Sequence, residues 1–376
     1  MTDHIALQLY TLRQQAERDF VAMLREVAAA GYTAVELAGY GPLTVAELRR
    51  TLDQLGLRAI SSHVGYRRFA DELDVVLEEL RLLGCSYAVV PGIPRELRAS
   101  PEAPARLAAR FDAWGAACAS AGLRFGYHNH GWEFEPRDGS NMLDLLTAKT
   151  KQDRVDVQID IFWALTAGVD VVSLIQRHPD RVPTLHAKEL AAAAAKIDTT
   201  IGDGITPWPS VLAAAAAAGT AWFIVEQEDD PDNAYRDIRR SRDSLRQLLG
   251  RHYRPAPAQG QDGPIQHPVS RVVALTPRRL GADTGERSHA RARTQSTLGW
   301  PHEPGGEEAS PAPFSLGRDG NPGDRLVLVR DDGLHPGSCR CRARDVGAGA
   351  QLQRHWLGAA QSPAFGTGDH RQGAKR

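Results

Sequence analysis

The sequence is poor in most features that would place it outside the ordinary globular proteins. Four cysteines in 376 residues are too few for a disulfide scaffold. Cys85 and Cys118 stand among Ala and Leu and are expected as small core residues. Cys339 and Cys341 have no second Cys or His pair at zinc spacing beside them. A run of 18 apolar residues is missing, which excludes an apolar transmembrane helix. Ahead of the first apolar run, Ile5–Leu9, there is neither a basic stretch nor a small-residue cleavage site, so a cytoplasmic protein is expected. A Gly-rich phosphate loop is missing after that run, which continues as Tyr10-Thr11-Leu12-Arg13. This argues against a doubly wound dinucleotide-binding sheet.

Excess charge of one sign is also missing over the whole chain, where the net charge is −1, but the two parts differ. Residues 251–376 carry 18 Lys+Arg against 12 Asp+Glu, a balance of +6, which leaves −7 for residues 1–250. An acidic main region argues against nucleic acid as its partner. From Arg251 onward Gly, Pro and Arg dominate and long amphipathic periods stop. Two regions are therefore expected: a folded domain over 1–250 and a low-order, largely disordered extension over 251–376. A readthrough or frameshifted gene end would have the same composition, and an RNA-binding basic tail is the sharper alternative.

What the first 250 residues do contain is regular alternation. β-rich runs stand at Ile5–Leu9, Ala34–Leu37, Arg58–His63, Tyr87–Val90, Arg124–Asn129, Val155–Ile161, Pro183–Ala187 and Trp222–Glu226, several of them apolar without a break. Such runs suit strands buried on both faces. Helical stretches are read at 16–30, 44–56, 70–83, 101–121, 140–149, 169–178, 207–218 and 232–249. Gly31, Gly56, Gly84 and Gly122 follow helices where a left-handed residue is wanted, and Thr44 with Glu47 makes a capping-box pattern. Strand and helix alternating eight times predict a (β/α)8 barrel of the TIM type.

In such a barrel the chemistry lies at the C-terminal strand ends. These offer Glu36, His63, His128-Asn129-His130, Asp160, His186 with Lys188, and Glu226, with Glu133 a few residues past the fifth strand. A Glu, Asp, His, Glu set, one member from each of strands five to eight, suits a divalent metal with open positions: Mn2+, Mg2+, Co2+ or Zn2+. His178, before Pro179, is expected as a solvated helix cap.

Positions 4–249 resemble the xylose-isomerase-like barrel proteins known as sugar phosphate isomerases/epimerases. The resemblance is carried by Tyr-His-Asn-His-x-x-Glu-Phe at 127–134, Asp-x-x-Trp-Ala at 160–164, His-x-Lys at 186–188, Gly-Asp-Gly-x-x-x-Trp at 202–208 and Ile-Val-Glu-Gln at 224–227. It implies one divalent metal held by a Glu after strand five together with Asp160, His186 and Glu226. In many relatives that Glu ends strand five itself; here His128-Asn129 hold the place, and Glu133 or His130 would supply the ligand. Abasic-site endonucleases share this barrel with three zincs and a His three residues after the strand-six Asp, where this chain has Trp163. No phosphate motif is evident, and Gly202-Asp203-Gly204 reads as a turn.

The expected activity is a metal-dependent isomerase or epimerase acting on a sugar or keto-sugar by proton transfer through an enediolate. Glu226 and Glu133 are the candidate acid–base groups, and Lys188 stabilises charge on a substrate oxygen. His63, His128, His130 and Trp163 are expected to bind a small carbohydrate or cyclitol, with Trp132 beside Trp163 as an apolar wall. A dehydratase of the inosose or dehydroshikimate kind on the same site, and a non-catalytic sugar-binding barrel, are the alternatives. Neither nucleic acid nor a membrane is an expected partner, and a homo-oligomer is compatible with this reading.

Overall fold

The computed structural model describes residues 4–255. Eight parallel strands close on themselves: β1 (Ile5–Gln8), β2 (Ala34–Leu37), β3 (Arg58–His63), β4 (Tyr87–Val90), β5 (Arg124–His128), β6 (Val155–Asp160), β7 (Thr184–Ala187) and β8 (Trp222–Val225). Closure is made by β1 against β8, with Ile5 beside Phe223 and Leu7 beside Val225. The principal helices are α1 (Arg13–Ala29), α2 (Val45–Leu55), α3 (Leu73–Leu83), α4 (Ala103–Ser120), α5 (Met142–Lys149), α6 (Val171–Gln176), α7 (Trp208–Ala217) and α8 (Ala234–His252). The expected (β/α)8 barrel is the fold, and the expected strand positions match to within about a residue. Among the described residues no helix is long and apolar enough to cross a membrane.

The local chemistry explains the element limits. α2 starts at Thr44, whose hydroxyl accepts from Glu47 N while the Glu47 carboxylate accepts from Thr44 N. This reciprocal cap satisfies two of the backbone donors that a helix start leaves open. α2 ends at Gly56, at φ +68°, a left-handed conformation that favours a residue without a Cβ. Leu48 and Leu52, one turn apart, put its apolar side on the barrel.

The main core lies between strands and helices, where Phe20, Phe69, Phe111, Phe125 and Phe223 are all buried. Inside the barrel a small layer of Ala6, Ala34, Ile60 and Ile224 fills the N-terminal end. Above it the interior turns polar. Cys85 and Cys118 are buried and unbridged, as expected, and burial pushes both thiols up to about 12.

Three differences from the sequence reading have physical causes. A short helix, Ile161–Thr166, begins directly after β6, because the Asp160 carboxylate caps it by accepting from Trp163 N. His178 is buried rather than solvated; its Nδ1 lies 2.9 Å from Leu174 O, and desolvation lowers its pKa. α8 runs on through Arg251 to His252, and Tyr253 folds back beneath the barrel. Its ring meets Phe223 edge-on at 5.2 Å and its hydroxyl donates to Thr220 O. The extension expected from Arg251 lies, from residue 256 onward, outside the described residues, as do Cys339 and Cys341.

Tyr253→Ala removes a buried ring and its hydrogen bond from the floor of the barrel. The expected loss is about 2–3 kcal/mol, read as a lower urea midpoint at unchanged slope. An unaltered midpoint would mean that the barrel does not depend on this anchor.

Candidate active site

The polar layer is built around Glu36, which is fully buried on β2. Register places it beside Gln8 of β1 and Ser61 of β3. Its Oε1 accepts from Gln8 Nε2 at 2.9 Å and His186 Nε2 at 2.7 Å, with His63 Nε2 at 3.2 Å. Its Oε2 accepts from Ser61 Oγ at 2.5 Å and Gln158 Nε2 at 2.8 Å. Burial alone would raise the pKa of this carboxyl, but His63, His186 and Ser61 outweigh it and hold the group at about 2. A buried carboxylate with so many donors is a fixed anion, and its main effect is on His186. With Nε2–H given to Glu36, the opposite nitrogen, Nδ1, turns to the barrel mouth, an arrangement that orients a metal-ligating imidazole.

At the mouth Asp160 of β6 stands in register with His186 of β7, and His186 with Ile224 of β8, two residues before Glu226. His186 Nδ1 lies 2.8 Å from Glu226 Oε2 and 3.7 Å from Asp160 Oδ2. All three residues are buried, and Asp160 Oδ2, His186 Nδ1 and Glu226 Oε2 have no partner in hydrogen-bonding geometry. Their other polar atoms are held: Asp160 Oδ1 by Trp163 N at 3.0 Å, Glu226 Oε1 by Lys188 Nζ at 3.0 Å. The three form a group whose ligand atoms lie within 4.8 Å of one another. Buried polar atoms left open and converging are costly unless something fills the space between them. A divalent cation fits the donor set.

The charges at this centre are split. Desolvation raises Asp160 to about 7, with Lys188 opposing it and Glu226 adding to it. Glu226 goes the other way: burial would raise it, but Lys188 and His186 hold it well below the usual carboxylate range. Burial would lower His186, yet Glu36 and Glu226 raise it well above the ordinary imidazole value. Lys188 is buried and likewise kept protonated against desolvation by Glu226, Glu228, Asp160 and Asp198. Its ammonium also stands over the Phe162 and Trp163 rings, 5.1 and 5.6 Å from their centroids.

The loops after β7 and β8 are tied together beside Lys188. Asp198 accepts from Glu228 N at 2.7 Å and Asp229 N at 3.1 Å, and Asp229 Oδ2 accepts from Asp198 N at 2.6 Å. Glu189 accepts from Gly202 N at 3.1 Å, Thr206 N at 2.9 Å and Trp208 Nε1 at 2.6 Å. Gly204 lies so close to this knot that a Cβ would stand 2.2 Å from Leu190 O.

Glu133 is buried, but its carboxylate is engaged: Oε1 accepts from the Tyr127 hydroxyl and Oε2 from His130 N at 2.8 Å. Desolvation raises its pKa. Neither Glu133 nor His130 belongs to a converging ligand group among the described residues. His63 faces the barrel interior, its Nε2 2.7 Å from Gln158 Oε1, and its ring stacks on His186 at 5.2 Å. His128 ends β5 with Nδ1 3.1 Å from Gln158 Oε1, and burial together with His186 and His63 keeps it neutral. Trp163 and Trp132 are half-buried, and the indole N–H of each lacks a partner. Gln8, Ser61 and Gln158, which hold Glu36 in place, were not singled out in the sequence. Their only signal there is position on strands that end in polar residues.

A family model described as a xylose isomerase-like TIM barrel matches residues 24–248. The rhizopine catabolism protein MocC of Rhizobium meliloti is 27% identical over 251 residues, covering 56% of this chain and 75% of that protein. The inosose dehydratase of Geobacillus kaustophilus is 25% identical over 252 residues, covering 57% of this chain and 81% of its own. A crystal structure of a sugar phosphate isomerase/epimerase from Parabacteroides distasonis superposes with a TM-score of 0.56 at 26% identity, over 64% of this chain and 96% of the other.

Proposed function

The chain belongs to the xylose isomerase-like TIM barrel family, and from that premise we propose that it is a divalent-metal enzyme that isomerises or epimerises a keto-sugar or keto-cyclitol through an enediolate. The observation that carries this reading is the convergence of Asp160 Oδ2, His186 Nδ1 and Glu226 Oε2, all buried and without hydrogen-bond partners, beside a buried Lys188. Asp160, His186 and Glu226 would hold the ion. Bound there, a divalent ion supplies Lewis acidity that stabilises negative charge on adjacent substrate oxygens.

The chain's own residues do the rest. Glu226, ionised and fixed at Oε1 by Lys188, takes the proton from the carbon next to the carbonyl. Lys188 keeps its proton and sets a positive charge near the oxygen on which negative charge develops. The unpartnered indole N–H groups of Trp132 and Trp163 donate to substrate hydroxyls, and their rings cover the less polar face of a ring substrate. Buried Glu36 keeps His186 in one tautomer throughout.

Dehydration is the second reading, and two observations favour it. A relative at 25% identity is an inosose dehydratase, and the Glu133 carboxylate is engaged by Tyr127 and His130 rather than open to the cluster. In dehydration the proton that Glu226 takes from carbon can be handed to the departing β-hydroxyl, which leaves as water, whereas epimerisation needs a proton returned to the opposite face by a second group.

One experiment separates these outcomes. Keto-sugars and inososes are incubated in D2O with the protein and Mn2+, the ion is chelated, and the products are read by NMR and mass spectrometry. Deuterium on the carbon next to the carbonyl, with mass otherwise kept, is the result for isomerisation or epimerisation. Loss of one water is the result for dehydration. Neither exchange nor water loss across the panel would overturn both and leave a sugar-binding barrel.

A further inference from the structure

We propose that His128 Nε2 is the fourth protein ligand of the metal site, in the position that a strand-five carboxylate would otherwise take. The inference rests on the metal reading above and adds a residue to it. Four buried side chains at the mouth share one pattern, in which one polar atom is held from behind and the other makes no hydrogen bond of accepted geometry. For His186, Glu36 holds Nε2; for Asp160, Trp163 N holds Oδ1; for Glu226, Lys188 holds Oε1; the remaining atoms, Nδ1, Oδ2 and Oε2, face only one another, Nδ1 lying 2.8 Å from Oε2 and 3.7 Å from Oδ2. His128 repeats it: Nδ1 is turned to Gln158 Oε1 at 3.1 Å, and Nε2 is buried without a partner.

Gln158 can take this role because its own amide is fixed, its Nε2 donating to Glu36 Oε2 at 2.8 Å and to Thr184 Oγ1 at 3.1 Å. Its Oε1 is therefore an acceptor, and the nitrogen of His128 facing it is N–H. That leaves the lone pair on Nε2. Glu36 and Gln158 thus set the tautomers of the two histidines in parallel fashion.

Placement agrees. The His128 and His186 rings meet edge-on with centroids 4.5 Å apart. The ligand atoms of His63, His128 and His186 lie within 4.8 Å of one another, as do those of Asp160, His186 and Glu226; His186 is common to both groups, and His128 joins the second only when its ring moves toward a bound ion. The three-histidine group is not itself an open site, since His63 Nε2 and His186 Nε2 are engaged with Glu36 and Gln158. The rival on the fifth-strand side, Glu133, has both oxygens occupied by Tyr127 and His130 N. Two imidazoles with two carboxylates form a donor set of intermediate softness. It favours Mn2+, Co2+ or Zn2+ over Mg2+, which prefers oxygen alone.

The test uses full-length protein stripped by chelation and reloaded with Mn2+ alone. Pulsed electron paramagnetic resonance of the parent protein is expected to show hyperfine coupling to two imidazole nitrogens. His128→Ala is expected to leave one, and to weaken Mn2+ binding more than the roughly 10–100-fold typical of losing an outer partner. Glu133→Gln is expected to keep both couplings and to change affinity by less than about tenfold, below that same range. One nitrogen in the parent protein, or two in His128→Ala, would overturn the assignment of His128 while leaving a metal site in place. No stoichiometric Mn2+ in the parent protein would overturn the metal reading and His128 with it. The parent spectrum decides the nitrogen count even if His128→Ala fails to fold.

Discussion

Glu226→Gln is expected to slow deuterium exchange at the substrate carbon by about 100-fold or more, the scale on which a positioned base acts. The parent carboxylate is ionised because Lys188 lies 3.0 Å from Oε1 and His186 lies 2.8 Å from Oε2, which together overcome the cost of burial. An amide keeps the shape and removes the base. Lys188 can only donate, so the new amide oxygen is held on the Lys188 side and the NH2 group turns toward the cluster. Mn2+ affinity therefore falls as well, and the assay belongs at saturating Mn2+. Exchange at near the parent rate under saturation would reduce Glu226 to a ligand and return the search for a base to the other residues at the mouth.

The affinity for Mn2+ is expected to rise with pH, most clearly up to about pH 7, where Asp160 loses its proton. The reason is proton displacement. Glu36 and Glu226 favour the protonated form of His186, and a protonated imidazole must give up its proton to become a ligand. Below about pH 7 Asp160 carries a proton as well, so a second one is displaced there.

The stability of the metal-free protein runs the opposite way, falling as pH rises. The raised Asp160 value means that the folded state binds more protons than the unfolded state between about 4 and 7, so this group costs stability increasingly as pH rises through that window. The raised His186 value stabilises below its unfolded value of about 6.5 and is lost as pH rises through the higher folded value. Glu36, lowered to about 2, contributes above its unfolded value near 4.5 and is constant from there upward. Mn2+ offsets the Asp160 penalty and binds more tightly as pH rises, so its effect on Tm is expected to be larger at pH 8 than at pH 6. Calorimetric titration in two buffers of different protonation enthalpy counts the protons released. A pH-independent affinity between 6 and 8 would mean that the ion does not bind at His186 and Asp160.

The barrel was legible in the sequence because each strand is short, apolar and bounded by helix signals that act locally, such as the Thr44 cap and the left-handed Gly56. The residues Asp160, His186, Lys188 and Glu226 were legible as strand ends for the same reason. The layer beneath them was not. Strands buried on both faces show no alternation of polar and apolar residues, so nothing marks Gln8, Ser61 and Gln158 as pointing inward. Glu36 stood among the strand ends without a role, because its partners come from four other strands and meet only when the barrel closes. Glu133 looked available by type and spacing; the Tyr127 hydroxyl that engages it lies six residues back on the helix-facing side of β5, where its ring packs on Phe111, a contact that spacing alone does not show. His128 was read as a substrate contact, and only its hydrogen bond to Gln158 reveals which nitrogen is left over.

The knot between the loops after β7 and β8 bears on how this sequence can drift over generations. Asp198 grips the backbone of 228 and 229, Glu189 grips 202, 206 and Trp208, and Lys188 sits next in the chain to one gripping residue and within 3.9 Å of the other. An added residue between 202 and 206 would pull the backbone donors of Glu189 out of line, and any side chain at 204 would strike Leu190 O. A lineage that keeps these contacts is therefore confined to constant length between 202 and 206, while the exposed turn at 192–197 is where length can change.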